Sequence, residues 1–245
     1  MERSRDQNKP FLAFYSMALC HDVTNDLKAP VPYGPRGRYD NYAEMVAQMD
    51  LQVGRLMKFL KSSGLDDNTL VFFTTDNGTA AKSKLSAKGE RNDFVVERVV
   101  SQFHGQSVPG GKGRLTDWGT RVPTIATWKG VIEPGQLWDD LVDLSDVLPT
   151  VAELTGGTLP GDPQLDGHSF AALLRGKGLS TRKWVYAEHK GRFFAKTHGK
   201  KLYNTGDFFN TEADPSEESP LDTSTLSTEA TSEWNLLRRA LENLR

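Results

Sequence analysis

Apolar residues recur every three or four positions in two long stretches of the chain. In the first stretch, which begins at Tyr42, this spacing predicts a helix with one apolar face, and Gly64 is placed to end it. The second stretch, which includes Trp234 and Leu237, predicts an amphipathic helix near the end of the sequence. The apolar positions of the two stretches are Tyr42, Val46, Met49, Val53, Leu56 and Leu60, then Trp234, Leu237, Leu241 and Leu244.

Continuous apolar runs predict strands between the helices. Phe11 to Leu19 has the composition of a buried strand, and Thr69 to Thr75 and Val122 to Trp128 are two further strand candidates. A further helix is expected from Val147 onward, with Ser145 or Asp146 as its cap. A helix followed after a short connection by a strand is typical of a mainly parallel sheet covered by helices. The predicted fold class is therefore α/β.

The pattern changes after Gly156, so we predict a larger portion over residues 1–156 and a C-terminal subdomain over residues 157–245. Short strand candidates in the subdomain indicate a small antiparallel sheet. They are Trp184 to Glu188, Phe193 to Thr197 and Lys201 to Tyr203. Three polar or Pro- and Gly-rich stretches predict irregular structure. They are the loop Ala29 to Gly37, a long surface loop from Thr79 to Val108, and a poorly ordered segment from Asn210 to Ser232.

Composition excludes few functions. The 245 residues carry a net charge of −2, so the strongly basic surface of a nucleic-acid-binding protein is not expected. No apolar run approaches the roughly 18 residues of a membrane helix, and the polar first ten residues lack the apolar core of a signal peptide. The lone cysteine, Cys20, forms no intrachain disulfide. These observations leave the cellular compartment open.

Three places carry candidate chemistry. The strand Thr69 to Thr75 ends in Asp76 and Asn77, whose oxygens are ligands that calcium or magnesium prefers, although Asn-Gly is also an ordinary turn signal. Lys112 lies in GGKG, where glycines let the backbone approach a ligand, or where an exposed turn simply carries a lysine. His21 follows the first predicted strand, a position that suits either the edge of a site or a structural histidine.

Taken together, six segments in this order resemble the sulfatase family of the alkaline-phosphatase-like superfamily. The segments are PFLAFYSMALCH, YAEMVAQMDLQVGRLMKFLKSSGLDDNTLVFFTTDNG, GGKGRLTDWGTRVPTIATWKGVIEPG, DLVDLSDVLPTVAELTGG, LDGHSFAALLRG and KLYNTGDFFNTEADPSE. The resemblance implies part of a mainly parallel central sheet flanked by helices, with a small antiparallel C-terminal sheet and a closing helix. It also implies hydrolysis of a small-molecule or carbohydrate sulfate ester to an alcohol and inorganic sulfate.

The resemblance assigns roles to four residues. Asp76 and Asn77 match the pair that ligates a divalent cation, usually calcium, although Mg²⁺ suits the same oxygens. Lys112 matches a lysine that contacts a sulfate oxygen, and His21 matches a histidine that contacts the sulfate and assists the departing alcohol. Sulfate-ester hydrolysis needs positive charge near oxygens that gain negative charge and a donor for the leaving oxygen, which this set supplies.

The sequence departs from the family in its nucleophile. Sulfatases use a formylglycine made from a cysteine or serine in a C-x-P-x-R type motif, and this sequence contains no such motif. Cys20 lacks the following proline and arginine, and the family's N-terminal aspartate pair is absent. Asp117 and Trp118 also replace the glutamate and first glycine of the usual K-x-x-x-x-E-G-G. We therefore expect a truncated portion of a sulfatase with little or no turnover by itself.

Two other functions remain open on sequence grounds. The chain is alternatively a non-catalytic module that binds sulfated ligands, or a phosphoesterase of the same superfamily, whose metal and anion requirements overlap with those of sulfatases. Asp166 and His168 in LDGHS are expected to form a structural turn. His104 precedes GGKG closely enough to line a pocket, but the resemblance assigns it no role.

Overall fold

The computed structural model describes residues 1–7, 9–22, 39–87, 94–103, 105–159, 161 and 165–244. The predicted loop Ala29 to Gly37 and His104 lie outside these ranges. The described helices are α1 (Glu2–Asp6), α2 (Tyr42–Ser62), α3 (Asp117–Thr120), α4 (Val147–Thr155), α5 (Ala171–Leu174) and α6 (Thr228–Asn243), with 3-10 turns at Asp66–Asn68 and Leu144–Asp146. The described strands are β1 (Val71–Thr74), β2 (Lys82–Ala87), β3 (Phe94–Arg98), β4 (Val100–Phe103), β5 (Gln106–Pro109), β6 (Thr124–Thr127), β7 (Val185–His189), β8 (Arg192–Lys196), β9 (Lys200–Tyr203) and β10 (Phe208–Asn210).

The chain forms two compact units. Unit 1 comprises Met1–Val71 and Gly78–Lys112, and unit 2 comprises Phe72–Asn77 and Gly113–Arg245. Each unit is made of two segments of sequence, so the chain passes between them more than once. The predicted boundary between residues 156 and 157 stays a prediction.

The first predicted helix is confirmed as α2 in unit 1. Asn41 caps its start because the side-chain oxygen accepts a hydrogen bond from the Glu44 N–H at 3.0 Å. The helix ends at Ser62, and Gly64 follows with a positive φ of 66°, which glycine adopts without strain. Met45 is fully buried in a small core with Tyr39 and Leu85. This core fixes the N-terminal turn of α2 against β2.

Two hairpins replace the long surface loop that we predicted from Thr79 to Val108. Strand β2 pairs with β3 and β4 with β5, both antiparallel, so the loop prediction is wrong. In β2, buried Ser83 and Leu85 alternate with exposed Lys82 and Lys84, which is the period of a half-buried strand. The alternation was hard to recognise because the buried positions include a serine and the exposed ones carry charge.

The predicted buried strand from Phe11 to Leu19 is also wrong. Residues 11 to 18 form neither helix nor strand, and the side chains of Leu12, Phe14 and Tyr15 are largely exposed. A strand requires a neighbouring backbone with which to exchange hydrogen bonds. Within the described ranges no strand pairs with this segment. The apolar composition is therefore present without the partner that would make it a strand.

The small antiparallel sheet predicted for the C-terminal region is confirmed in unit 2. Its strand order is β10-β9-β8-β7, with β10 as an additional strand, and α6 confirms the predicted amphipathic helix. Successive residues of a strand face opposite sides, so the sheet has two distinct faces. One face packs on α6 through Ala195, Leu202 and Phe208. The opposite face carries Phe194, Tyr203 and Phe209.

The segment from Asn210 to Ser232 is ordered, contrary to prediction. Leu221 and Leu226 pack against the core between the sheet and α6. Serine and acidic residues bond locally, as when the Ser224 N–H and hydroxyl both donate to Asp222. Ser227 caps α6 by accepting from the Ala230 N–H at 3.2 Å. The polar composition therefore builds turns and a helix cap.

Strands β1 and β6 confirm the two strands predicted there, the structure pairs them with each other, and α4 begins at the predicted place. Asp146, one of the two predicted caps, occupies the N-cap position of α4, but its side chain makes no capping bond there, and neither it nor Ser145 caps the turn that leads into the helix. Asp143 does, by accepting from the Ser145 N–H at 2.9 Å, while the Asp146 carboxylate accepts from the Asp143 N–H. Across the residues that the structure describes, no helix is long and apolar enough to cross a membrane.

Candidate functional site

Asp76 and Asn77 directly follow β1 in unit 2, as the sequence indicated. The Asp76 side chain is exposed, and the Asn77 side-chain Nδ2 donates to its Oδ2 at 2.5 Å. The Thr75 hydroxyl donates to the Asn77 carbonyl at 3.3 Å, which holds the turn. The two predicted metal ligands are therefore neighbours in contact with each other.

Asp76 and Asn77 carry the type of oxygen ligand that binds a hard cation, but two such ligands are too few to complete its coordination shell. A carboxylate and an amide oxygen are the ligands that calcium and magnesium prefer, but calcium takes about six to eight oxygens. In the described part of the chain no group of three or more His, Cys, Asp or Glu residues is arranged to hold a metal ion. Asp76 and Asn77 are therefore at most part of a coordination shell.

Lys112 lies in unit 1 at the tip of a closely fitted loop. Its side chain is exposed, and its backbone N–H donates to the Thr79 carbonyl at 3.1 Å. A Cβ at Gly110 would lie 2.3 Å from the Ala80 backbone, so only glycine allows this approach. Thr79 is the second residue after Asn77, so the Lys112 loop is bonded to the segment that continues from the predicted metal ligands.

His21 lies in unit 1 in a turn that β2 holds. Its N–H donates to the Ala18 carbonyl at 2.9 Å, and its Nδ1 is 3.4 Å from the Asp22 carbonyl. The Asp22 carboxylate accepts from the Lys84 N–H at 3.0 Å, which attaches the turn to β2. The imidazole itself is exposed and therefore available to a ligand. No hydrogen bond between His21 and Lys112 occurs among the described residues.

Cys20, next to His21, has the environment of an unreactive thiol. Burial raises its pKa to about 11, although a hydrogen bond with Tyr42 acts in the opposite direction. The thiol is therefore protonated at neutral pH, and only the thiolate is an effective nucleophile. This agrees with the sequence, which gives Cys20 no catalytic role.

The segment LDGHS forms a structural turn around a buried ion pair in unit 2. The guanidinium of Arg182 and the carboxylate of Asp146 form two hydrogen bonds, one of them at 2.8 Å, and both side chains are almost fully buried. The Asp166 carbonyl accepts from Arg182, and the His168 N–H donates to Asp146. The side chains of Asp166 and His168 are exposed. The turn is therefore held by hydrogen bonds to the backbones of Asp166 and His168, not to their side chains.

A second buried charge network in unit 2 was not predicted. Lys201, which is 0% exposed, uses three donors, to the Leu115 carbonyl at 2.9 Å, to Asp117 at 3.0 Å and to Glu217 at 2.5 Å. Lys196 donates to the other Asp117 oxygen at 2.5 Å, and the Tyr203 hydroxyl donates to Glu217. Two ammonium groups therefore neutralise two carboxylates, and every member of the set has a partner.

The network keeps Asp117 ionised. Burial alone would raise the pKa of this carboxyl, but the charges and hydrogen bonds of Lys201 and Lys196 outweigh burial and hold the pKa below its ordinary value. For Lys196 burial is the larger effect and lowers its pKa, although Asp117 opposes this. At neutral pH the Asp117 carboxylate is thus charged.

Two signals in the sequence could have indicated this network. Lys201 and Tyr203 are two residues apart in a predicted strand and share its face, as do Phe194 and Lys196. If such a face is buried, its lysines require acidic partners, because a lysine is almost never fully buried unless it is paired. Asp117 stands where the family motif has a glutamate, so an acid at this position was visible.

A model of the sulfatase family matches residues 2–157. The chain belongs to the sulfatase family. The match includes all four of the residues to which sequence resemblance assigned roles, His21, Asp76, Asn77 and Lys112.

Similar proteins include sulfatases from mammals. The sulfatase chain is 37% identical over 172 residues to steryl-sulfatase of Mus musculus, covering 70% of the chain and 26% of that protein. It is 32% identical over 215 residues to arylsulfatase D of Homo sapiens, covering 83% of the chain and 34% of that protein. The chain thus spans about a quarter to a third of the length of these relatives.

Solved structures confirm the α/β fold class. The PsFucS1 sulfatase from Pseudoalteromonas sp. aligns with 96% of the sulfatase chain and 49% of its own, with a TM-score of 0.69 and 24% identity. Ps i-CgsB, solved in complex with k-i-k-neocarrahexaose, aligns with 83% of the chain and 42% of its own, with a TM-score of 0.56 and 25% identity. The phosphonate monoester hydrolase of Agrobacterium radiobacter aligns with 83% of the chain and 40% of its own, with a TM-score of 0.54 and 20% identity.

Proposed function

We propose that this sulfatase chain supplies the metal-binding and sulfate-binding part of an active site that hydrolyses sulfate esters. The observation that carries the proposal is the family match over residues 2–157, a range that includes the four residues to which sequence resemblance assigns roles, His21, Asp76, Asn77 and Lys112. The products are an alcohol and inorganic sulfate. We thus propose an enzymatic reaction for the sulfatase to which these residues contribute. Turnover by the 245-residue chain alone is a separate question.

Lys112 binds the sulfate group in this proposal. Its exposed ammonium group meets the sulfate oxygens and offsets the negative charge that they gain as the ester bond breaks. The fit of Gly110 against Ala80 and the bond from the Lys112 N–H to Thr79 hold the loop in one conformation before the ester arrives. Such preorganisation favours the transition state because the loop need not be ordered during the reaction.

His21 acts on the leaving group. Its exposed imidazole donates a hydrogen bond to the sulfate ester and a proton to the departing alcohol oxygen. The hydrogen bond that the Lys84 N–H donates to the Asp22 carboxylate holds the turn that carries His21. Asp76 and Asn77 would contribute two ligands to a calcium or magnesium ion, which when bound would supply further positive charge.

The proposed substrate is a sulfated carbohydrate or another small sulfate ester. Support comes from Ps i-CgsB, the structural neighbour solved with k-i-k-neocarrahexaose. The nucleophile is not among these residues, because the sequence contains no C-x-P-x-R type motif and Cys20 is a protonated thiol. We therefore propose that the 245-residue chain alone has little or no turnover.

The test uses 4-nitrophenyl sulfate with added CaCl₂, first on the purified 245-residue chain and then on the complete sulfatase that contains it. We expect no release of 4-nitrophenol by the chain alone. In the complete enzyme Lys112→Ala and His21→Ala should each lower kcat/KM at least 100-fold, whereas the control Lys58→Ala, which removes an exposed lysine of α2, leaves it unchanged. If the 245-residue chain alone hydrolyses the ester and His21→Ala abolishes this activity, the proposal that the chain alone is inactive is refuted. Full activity of the Lys112→Ala enzyme would refute the sulfate-binding role of Lys112.

A further inference from the structure

A pocket of about 290 Å³ lies within unit 2, between the end of strand β9 and one side of helix α6. Small-molecule sites span about 300–1,000 Å³, so this volume suits a ligand of one ring. Residues that bound the pocket include Leu202, Asn204, Trp234, Arg238, Leu241 and Glu242. We call it the α6 pocket. None of the four residues with proposed roles in sulfate-ester hydrolysis lines it.

Helix α6 supplies one wall of the pocket and part of its base. Its residues at the pocket recur at intervals of three or four positions, which places them on one side of the helix. They are Trp234, Arg238, Leu241 and Glu242. Leu241 and Leu202 of β9 are nearly fully buried, so the base is apolar. The Trp234 side chain packs against the same core, which holds the indole in place beside the pocket.

The opposite wall is ordered before any ligand binds. The Asn204 side chain accepts a hydrogen bond from the Phe193 N–H and donates one to the Gly191 carbonyl, both at 3.1 Å. The Gly206 N–H donates to the Tyr203 carbonyl at 2.9 Å and closes the turn that follows β9. Because these groups are already fixed, a ligand does not have to order them when it binds.

A charged pair lies at the rim of the α6 pocket. The Arg238 guanidinium donates to the Glu242 carboxylate at 2.6 Å, and its central carbon is 5.5 Å from the centre of the Trp234 ring. Both charged side chains are exposed. A guanidinium has five N–H donors and a carboxylate has about four acceptor sites. This one hydrogen bond therefore leaves donors and acceptors for a ligand.

The lining disfavours two classes of ligand. An inorganic anion would meet Glu242, which neutralises Arg238, the only cation among the described residues that line the pocket. A wholly apolar ligand would take the charged pair out of water without replacing its hydrogen bonds, which is unfavourable. A suitable ligand therefore has an apolar face and an edge that carries both donors and acceptors.

A neutral sugar ring combines these features, because its C–H groups form apolar faces and each hydroxyl both donates and accepts. We propose that the α6 pocket binds a neutral sugar ring. The ring lies with C–H groups against Trp234 and the apolar base, and its hydroxyls donate to Glu242 and accept from Arg238. This site goes beyond the proposed function, since no bond of the ligand is broken there and no residue of the candidate site takes part.

The experiment records ¹H–¹⁵N spectra of the 245-residue chain during titration with the methyl pyranosides of glucose, galactose, mannose and N-acetylglucosamine. The indole N–H signal of Trp234 is identified by its loss in Trp234→Phe. We expect at least one sugar to shift this signal, with a Kd of about 1–10 mM for so small a ligand. Arg238→Ala and Glu242→Ala should each raise that Kd about fivefold or more, because each removes hydrogen bonds to the sugar. Arg239→Ala is the matched control, since Arg239 is an exposed arginine of α6 that does not line the pocket.

Three outcomes would overturn the sugar-site proposal. They are no shift of the Trp234 signal with any of the sugars, equal weakening by Arg239→Ala and Arg238→Ala, and displacement of the sugar by sodium sulfate at constant ionic strength. The last result would identify an anion site at Arg238 instead. Because the Arg238 and Glu242 side chains are exposed, their variants should fold, which circular dichroism verifies. The measurement involves no hydrolysis, so a failure of sugar binding and a failure of sulfatase activity are observed separately.

Discussion

The ammonium nitrogen of Lys201 lies 3.0 Å from a carboxylate oxygen of Asp117, and both side chains are buried in unit 2. Lys201 also donates to the Leu115 carbonyl. Leu115 and Asp117 follow Lys112 by three and five residues. The network therefore anchors Leu115 and Asp117, which follow Lys112 in the sequence, to strand β9 within unit 2.

Removing one charge from this cluster should destabilise unit 2 strongly. Asp117→Ala leaves Lys196 and Lys201 buried without their shared acid, and breaking such a pair costs about 3–5 kcal/mol. All five tryptophans, Trp118, Trp128, Trp138, Trp184 and Trp234, belong to unit 2, so urea unfolding followed by tryptophan fluorescence reports on this unit alone. The control Glu242→Ala removes an exposed ion pair with Arg238 and should cost about 0.5 kcal/mol or less. Equal losses in the two variants would contradict the account.

The same carboxylate predicts an acid dependence of stability. The Asp117 pKa is lowered below its ordinary 3.8 in the folded chain, so its stabilising contribution is complete above that value and is lost as the pH falls through the lower, folded pKa. Lys196 stays protonated throughout this range and adds no slope. We expect the urea midpoint of unit 2 to fall between pH 5 and pH 2.5, and to fall less steeply in Asp117→Asn. The control Asp50→Asn, an exposed acid of α2, should keep the slope of the unaltered chain.

Two glycine substitutions in unit 1 should have opposite effects. In Gly110→Ala the new Cβ would lie 2.3 Å from the Ala80 backbone, so the chain must shift at the base of the Lys112 loop and unit 1 should become less stable. In Gly54→Ala the new methyl group meets nothing within 4 Å on helix α2 and should stabilise it by up to about 1 kcal/mol. Hydrogen exchange of α2 and of residues 105–112 measures both effects. Unchanged exchange in the Lys112 loop of Gly110→Ala would refute the close fit.

Cys20 should react slowly with alkylating reagents. A pKa of about 11 instead of 9.0 lowers the thiolate fraction about 100-fold at pH 8, since the thiolate is the reacting species. Iodoacetamide labelling of the folded chain at pH 8 should therefore be about 100-fold slower than labelling in urea, and should accelerate as the pH rises towards 11. Rapid labelling at pH 7 would show an activated thiol and reopen its catalytic role.

The sequence predicted correctly those helices and strands whose hydrophobic periodicity is contained within the element itself. Helices α2 and α6, strands β1 and β6 and the antiparallel strands around Phe194 were predicted because their periodicity is local. Phe11 to Leu19 was predicted wrongly because a strand also depends on a partner backbone, which periodicity does not report. The charge cluster of Asp117, Lys196, Lys201 and Glu217 joins positions far apart in sequence, so the sequence could indicate that the lysines need acids but not which acids the fold pairs with them. The roles of His21, Asp76, Asn77 and Lys112 came from family resemblance and stay predictions.

The most direct test of the central claim is the preference of the native protein that contains these residues for sulfate over phosphate esters. Measuring kcat/KM for 4-nitrophenyl sulfate and 4-nitrophenyl phosphate on one preparation, with and without a calcium chelator, compares the two ester classes under identical conditions. The account predicts that the sulfate ester is preferred at least tenfold and that chelation lowers its hydrolysis. Preference for the phosphate ester, or no hydrolysis of the sulfate ester by the complete protein, would contradict it.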